Sequence, residues 1–131
     1  MPTEEELVSA AWSAREKAYA PYSKFKVGAA LLGADGRIFP GCNVENLSYG
    51  LTNCAERVAI GAAVAKGVTK FDTVAVVADT GVPISPCGAC RQVLAEFGVR
   101  RIILANRTEI IEFTLEELLP RAGAGILDQS E

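Results

Sequence analysis

The chain has 131 residues, half of them hydrophobic, with 13 Lys and Arg against 16 Asp and Glu and a net charge of −3. That length fits a single domain, residues 1–131, and so short a chain often assembles into oligomers to bury more surface. The acidic balance offers phosphate backbones and anionic membranes no attraction, and no apolar stretch approaches the roughly 20 residues of a membrane span.

Met1-Pro2-Thr3-Glu4-Glu5-Glu6 is too acidic for a secretory signal, so a cytoplasmic protein is expected. In that compartment the four cysteines are expected as thiols or metal ligands rather than disulfides. Histidine is absent. Any metal site must therefore use Cys, Asp or Glu, and a proton shuttle is expected to be a carboxylate.

In chain order, Thr3 with Glu6 forms a capping box, and Leu7, Ala10, Ala11, Ala14 and Ala18 recur at helical spacing. This predicts a first helix to about Tyr19, stopped by Pro21. Val27–Leu32 and Arg37–Asn43 read as strands joined by Asp35-Gly36, a hairpin turn. A helix is expected from about Ala55 to Lys66, with Gly67 as its stop. Val74–Ala78 reads as a strand buried on both faces. A short helix over Cys87–Phe97 follows, ended by Gly98, and then a buried strand, Ile102–Ala105. Asn106–Thr108 leave no room for a crossover, so Glu109–Phe113 should return antiparallel. Thr114 with Glu117 makes a second capping box for a last short helix. The order α-β-β-α-β-α-β-β-α, with a central βαβαβ unit, predicts an α/β fold: a three-layer α-β-α sandwich with a five-stranded mixed sheet.

Two motifs carry the chemistry, Cys54-Ala55-Glu56-Arg57 and Pro86-Cys87-Gly88-Ala89-Cys90. Cys87 and Cys90 are three apart at a helix start, so their sulfurs share one side of the first turn. Pro86 suits a helix start because its missing amide proton has no partner there. Cys54 opens the other helix, so three sulfurs can converge on two helix N-termini, which stabilise thiolate. A structural zinc is normally closed by four protein ligands, whereas a catalytic zinc keeps a place for water. Three cysteines with Glu56 nearby therefore point to catalysis. Cys42, at a strand end, reads as a small buried residue instead. Three thiolates on Zn²⁺ leave a net charge of −1, which calls for compensation by the helix N-termini and by Arg57 as a donor to sulfur. Arg57 could otherwise be a solvated helix charge. Ligand-x-Glu followed by Pro-Cys-x-x-Cys is the general signature of zinc deaminases.

The sequence resembles the small cytidine deaminases that bind zinc through three cysteines and assemble as homotetramers. The likeness runs from Ala18-Tyr19-Ala20-Pro21-Tyr22-Ser23, Phe25 and Val27-Gly28-Ala29-Ala30-Leu31 to Glu117-Leu118-Leu119-Pro120. It includes Asn43-Val44-Glu45-Asn46, Tyr49 and both cysteine motifs. It implies one Zn²⁺ per subunit on Cys54, Cys87 and Cys90, with Glu56 as proton shuttle in the hydrolysis of cytidine and deoxycytidine to their uracil counterparts plus ammonia, a step of pyrimidine salvage. It further implies that Asn43 and Glu45 hold the ribose hydroxyls and that Phe25 lines the base pocket. Tyr49 would reach the sugar end across a subunit boundary, the Ala55 backbone would meet the pyrimidine carbonyl, and Gln92 would join Arg57 around the sulfurs. From the residues alone, Asn43–Asn46 could be a solvated turn and Phe25 plain core.

The family also carries a phenylalanine soon after Leu-Leu-Pro, stacked on the base of a neighbouring subunit. Here Pro120–Leu127 has glycines near that place, which predicts weakened cytidine binding or a shifted substrate such as blasticidin S. Two other classes compete. A nucleic-acid-editing deaminase conflicts with the acidic balance, and a structural zinc or redox protein leaves Glu56 and Arg57 unexplained.

Overall fold

The computed structural model describes residues 1–123. Four α-helices and five strands alternate in the expected order: α1 Glu4–Arg15, β1 Val27–Gly33, β2 Ile38–Cys42, α2 Ala55–Ala65, β3 Phe71–Ala78, α3 Gly88–Glu96, β4 Arg101–Ala105, β5 Ile110–Thr114 and α4 Leu115–Leu118. A single 3₁₀ turn, Tyr49–Leu51, interrupts the long connection between β2 and α2. Both capping boxes form, Thr3 with Glu6 and Thr114 with Glu117. Gly36 takes a φ of +89° in the β1–β2 turn, where Asp35 Oδ1 accepts from the Arg37 amide at 3.0 Å.

The first helix is shorter than its apolar spacing suggests, ending at Arg15 rather than near Tyr19. Beyond it the backbone changes partner: the Tyr19 amide donates to the Asn43 carbonyl at 3.0 Å, and the Tyr19 carbonyl accepts from the Glu45 amide at 2.9 Å. This bridge pulls Tyr19 into the segment leaving β2, and helical i→i−4 pairing cannot serve the same groups.

The sheet order is β2-β1-β3-β4-β5. β3 and β4 are parallel, β1 is antiparallel to both β2 and β3, and β5 is antiparallel to β4. β2, β3 and β4 therefore share one direction, as the βαβαβ reading requires, with β1 inserted between β2 and β3. Alternate residues divide the core. Ala29, Leu31, Phe39, Val74, Val76, Ile102 and Leu104 pack with Ala59, Ile60 and Ala63 of α2 and Leu94 of α3. Ala30, Ala75, Val77, Ile103 and Ala105 pack with Leu7, Val8 and Ala11 of α1. The result is three layers, with α1 on one face and α2 and α3 on the other.

Because β2, β3 and β4 run the same way, their carboxyl ends lie at one edge, together with the amino end of the inserted β1. Helices α2 and α3 start from that edge, which is where open α/β sheets hold ligands. Gly41 sets how closely α2 approaches. A Cβ there would stand 2.5 Å from the Ala55 carbonyl oxygen and 2.5 Å from the Ala59 amide nitrogen. Both are backbone atoms of α2, so the helix itself must shift. Gly41→Ala is expected to destabilise by on the order of 1–3 kcal/mol and to weaken zinc retention, because Cys54 moves with the helix. Thermal melts with metal analysis check this, and an unchanged melting temperature contradicts it.

Candidate metal centre and active site

Cys54 is the N-cap residue of α2 and Cys87 that of α3, both with extended backbone. Cys90 lies one turn into α3, wholly buried, and its amide donates to Cys87 Sγ at 3.5 Å. Cys54 and Cys87 Sγ stand 3.9 Å apart, Cys87 and Cys90 Sγ 3.5 Å, and all three sulfurs lie within 4.8 Å of one another. Among the described residues they form the one such cluster of potential ligands. Cys42 sits half-buried at the end of β2, outside this group, as the sequence suggested.

Arg57 donates through Nη2 to Cys54 Sγ at 3.4 Å. Its Nε is buried without an acceptor among the described residues. A guanidinium left with a spare buried donor beside three sulfurs is suited to thiolates, and thiolates are the state that binds a cation. The Cys54 thiol is lowered to about 5, chiefly by the proton the Cys90 thiol shares with it and then by Arg57, while Cys90 is raised correspondingly. The residues present fit a soft divalent metal: three sulfurs, two helix N-termini and one guanidinium to balance their charge.

Glu56 is 4% exposed, the second residue of α2, between Cys54 and Arg57. Burial raises its carboxyl to about 7 and the Cys54 sulfur adds to the rise, against the opposing pull of its own amide and of Arg57. A carboxyl poised there both accepts and returns a proton at neutral pH.

The remaining sequence-derived residues fall in three places. Ala55, fully buried, is the first residue of α2, where amides lack helical acceptors. Phe25 is 43% exposed just ahead of β1, so it is not a plain core residue. Asn43 and Glu45 lie beside it, at the carboxyl end of β2, and are not a solvated turn. Asn43 is buried, its Oδ1 accepting from the Val27 amide at 2.9 Å and its Nδ2 donating to the Phe25 carbonyl at 2.8 Å. Glu45 Oε1 accepts from the amides of Tyr22 at 3.0 Å and Ser23 at 3.2 Å, and Oε2 from Ser23 Oγ. Ser23 is also the main reason the Glu45 carboxyl lies below its usual range. Tyr49 stands on the 3₁₀ turn, edge-on to Tyr22 with ring centroids 6.3 Å apart.

Gln92 departs from expectation. Its Nε2 donates to the Ala122 carbonyl at 3.2 Å, so its amide tethers the C-terminal segment, and the guanidinium that donates to sulfur is that of Arg57. Arg91, beside it, has a role that the sequence does not disclose. Its Nε donates to the Pro86 carbonyl and its Nη1 to the Leu118 carbonyl, each at 2.8 Å, so it braces the turn before Cys87 against α4. Its place directly after Cys90 was the one available signal. Of the C-terminal stretch that lacks the stacking aromatic, residues 124–127 lie outside the described residues.

Comparison with known proteins agrees with this geometry. Residues 1–106 match the model of the cytidine and deoxycytidylate deaminase zinc-binding region. A cytidine deaminase of Sporosarcina psychrophila is 56% identical over 121 residues, covering 90% of this chain and 89% of that protein. One of Halalkalibacterium halodurans is 53% identical over 119 residues, covering 88% and 90%. The crystal structure of cytidine deaminase from Burkholderia pseudomallei superposes with a TM-score of 0.87 at 52% identity, covering 91% of this chain and 98% of that one. With a three-cysteine centre, a buried carboxylate beside it and these relatives, the chain belongs to the cytidine and deoxycytidylate deaminase family and is a zinc-dependent hydrolytic deaminase.

Proposed function

We propose that the substrates are the free nucleosides cytidine and deoxycytidine, converted to uridine and deoxyuridine in pyrimidine salvage. The observation that carries this reading is the Glu45 carboxylate beside Phe25, on the same edge of the sheet as the three sulfurs. An anionic side chain at the sugar end suits hydroxyls and opposes the phosphate of a nucleotide. The overall charge of −3 likewise opposes a nucleic-acid substrate.

Cys54, Cys87 and Cys90 hold the zinc, which when bound supplies a Lewis acid that makes water acidic near neutral pH. Glu56 takes a proton from the attacking water and delivers it to ring N3. The second water proton follows through the same carboxylate to the amine, the C4–N bond breaks, and ammonia leaves a C4 carbonyl behind. Arg57 and the two helix N-termini hold the sulfurs as thiolates. The Ala55 backbone meets the pyrimidine carbonyl, Phe25 lines the base, and Asn43 and Glu45 receive the sugar hydroxyls. Asn43 retains one N–H and one lone pair for this after its two backbone contacts.

Homotetramer assembly, with Tyr49 reaching a neighbouring subunit, is supported by the apolar surface of one loop, where Leu47, Tyr49 and Leu51 are 66–76% exposed. Cytoplasmic residence accords with four unpaired cysteines. No helix among the described residues is long and apolar enough to cross a membrane.

Ammonia release from the zinc-loaded protein, offered cytidine, deoxycytidine, deoxycytidine monophosphate and blasticidin S in parallel, tests the substrate. Turnover of the two nucleosides well above the other compounds is expected. Preference for the monophosphate or the antibiotic keeps the chemistry and overturns the substrate.

A further inference from the structure

The segment entering β1 and the segment leaving β2 are joined through side chains as well as backbone. The Phe25 amide donates to Ser23 Oγ at 3.0 Å, and Ser23 Oγ donates in turn to Glu45 Oε2. On the other side, the Phe25 carbonyl accepts from Asn43 Nδ2 at 2.8 Å. The peptide groups of Phe25 are thus held from both ends, by Ser23 and by Asn43. The three residues assigned to base and sugar form one continuous hydrogen-bonded chain, in which a single hydroxyl links Phe25 to Glu45.

That hydroxyl stands in an unusual turn. Lys24 has a φ of +62°, in the left-handed region that residues other than Gly seldom adopt. Glu45 brackets the turn by accepting from the amides of Tyr22 and Ser23, and the Lys24 amide closes it on the Ala20 carbonyl at 3.0 Å. The Tyr22 and Ser23 amides engage Glu45 Oε1 alone. Oε2 is fixed by Ser23 Oγ, a hydrogen bond assisted by the carboxylate charge and correspondingly strong. Without it one carboxylate oxygen is free to rotate into solvent, and the Phe25 amide loses its acceptor.

We propose that Ser23 is a positioning residue for substrate recognition: its hydroxyl orients the Glu45 carboxylate toward the sugar and couples that carboxylate to Phe25. The proposal rests on the assignment of Glu45 to the sugar hydroxyls. Ser23 is itself exposed and its hydrogen bonds run to Glu45 and Phe25, so its loss should act on binding and leave the proton chemistry of Glu56 in place.

The test compares wild type, Ser23→Ala, Ser23→Thr, Glu45→Ala and the Ser23→Ala/Glu45→Ala double variant on cytidine and on 2′,3′-dideoxycytidine, which lacks both ring hydroxyls. Zinc content is measured for each. Ser23→Ala should raise KM for cytidine roughly tenfold, the size of one charge-assisted hydrogen bond, with kcat and zinc nearly unchanged. On dideoxycytidine that loss should largely vanish. Ser23→Thr, which keeps the hydroxyl, should recover most of the cytidine KM. In the Glu45→Ala background the loss of Ser23 should add little, because coupled residues are non-additive.

Equal losses on both nucleosides would mean general damage to the pocket and overturn the proposal, as would additive losses in the double variant. It also fails if Ser23→Ala has no effect while Glu45→Ala penalises cytidine alone. If Glu45→Ala shows no dependence on the hydroxyls, the sugar assignment itself is wrong and the proposal falls with it.

Discussion

Glu56→Gln is expected to lower kcat by about 10³–10⁴-fold, the upper part of the range for a lost general acid–base group, while zinc stays at one per chain. The reason is geometric and electrostatic together. Glu56 follows Cys54 by two residues on the first turn of α2, so the fold that builds the metal centre also delivers the carboxylate. It is almost completely buried, and burial is the largest cause of its rise to about 7. A carboxyl at its ordinary value of 4.5 would take a proton readily only from a donor about as acidic as itself, and near neutral pH would hold it briefly. At about 7 the two protonation states are close in energy, which suits a group that must carry two protons in turn. Glutamine keeps the volume and the hydrogen-bonding capacity but carries no proton. Sulfur ligation is untouched, so metal analysis separates this loss from a damaged site. Substantial ammonia release by the zinc-replete variant would remove Glu56 from the mechanism.

The parts of this site legible in the sequence are those set by near neighbours. The three-residue interval between Cys87 and Cys90 and the two capping boxes act within a single helical turn, and each forms as read, while Pro86 lies one residue outside the N-cap of α3. The Asp35-Gly36 turn is equally local. What escaped depends on segments far apart in the chain. Ala18 continues the apolar spacing of α1, yet the backbone there leaves the helix because Tyr19 pairs with Asn43 and Glu45, more than 20 residues away. The insertion of β1 between β2 and β3 is likewise a matter of topology, since periodicity reports burial and not strand order. Asn43 and Glu45 could be flagged as polar groups after an apolar strand. Their engagement with Val27, Phe25, Tyr22 and Ser23 could not, because it needs the strand-entry loop to lie alongside. Gln92 shows the same limit in reverse. Its position next to Arg91 gave no hint that Ala122, 30 residues on, would take its amide.

Cys90→Ala should abolish both zinc binding and deaminase activity. Cys90 is the wholly buried member of the cluster, and its sulfur lies 3.5 Å from that of Cys87. Removing it leaves two sulfurs, one of them on the exposed residue Cys87, at a centre where three protein ligands are already the minimum of a catalytic site. No histidine exists in the chain to substitute, and Cys42 lies outside the cluster. The direct effect on packing is small, because alanine replaces one sulfur atom with a cavity of similar size. The stability lost with the metal is larger. Zinc binds the folded state, and at 1,000 times its dissociation constant a ligand contributes about 4 kcal/mol by mass action. Cys90→Ala should therefore melt where chelator-stripped wild type melts, and added zinc should restore the wild type alone. Cys42→Ala is the matched control, expected to keep one zinc per chain. If Cys42→Ala also lost its zinc, the centre would have four sulfurs and be structural; if Cys90→Ala kept a full equivalent of zinc, the three-cysteine ligand set would be wrong.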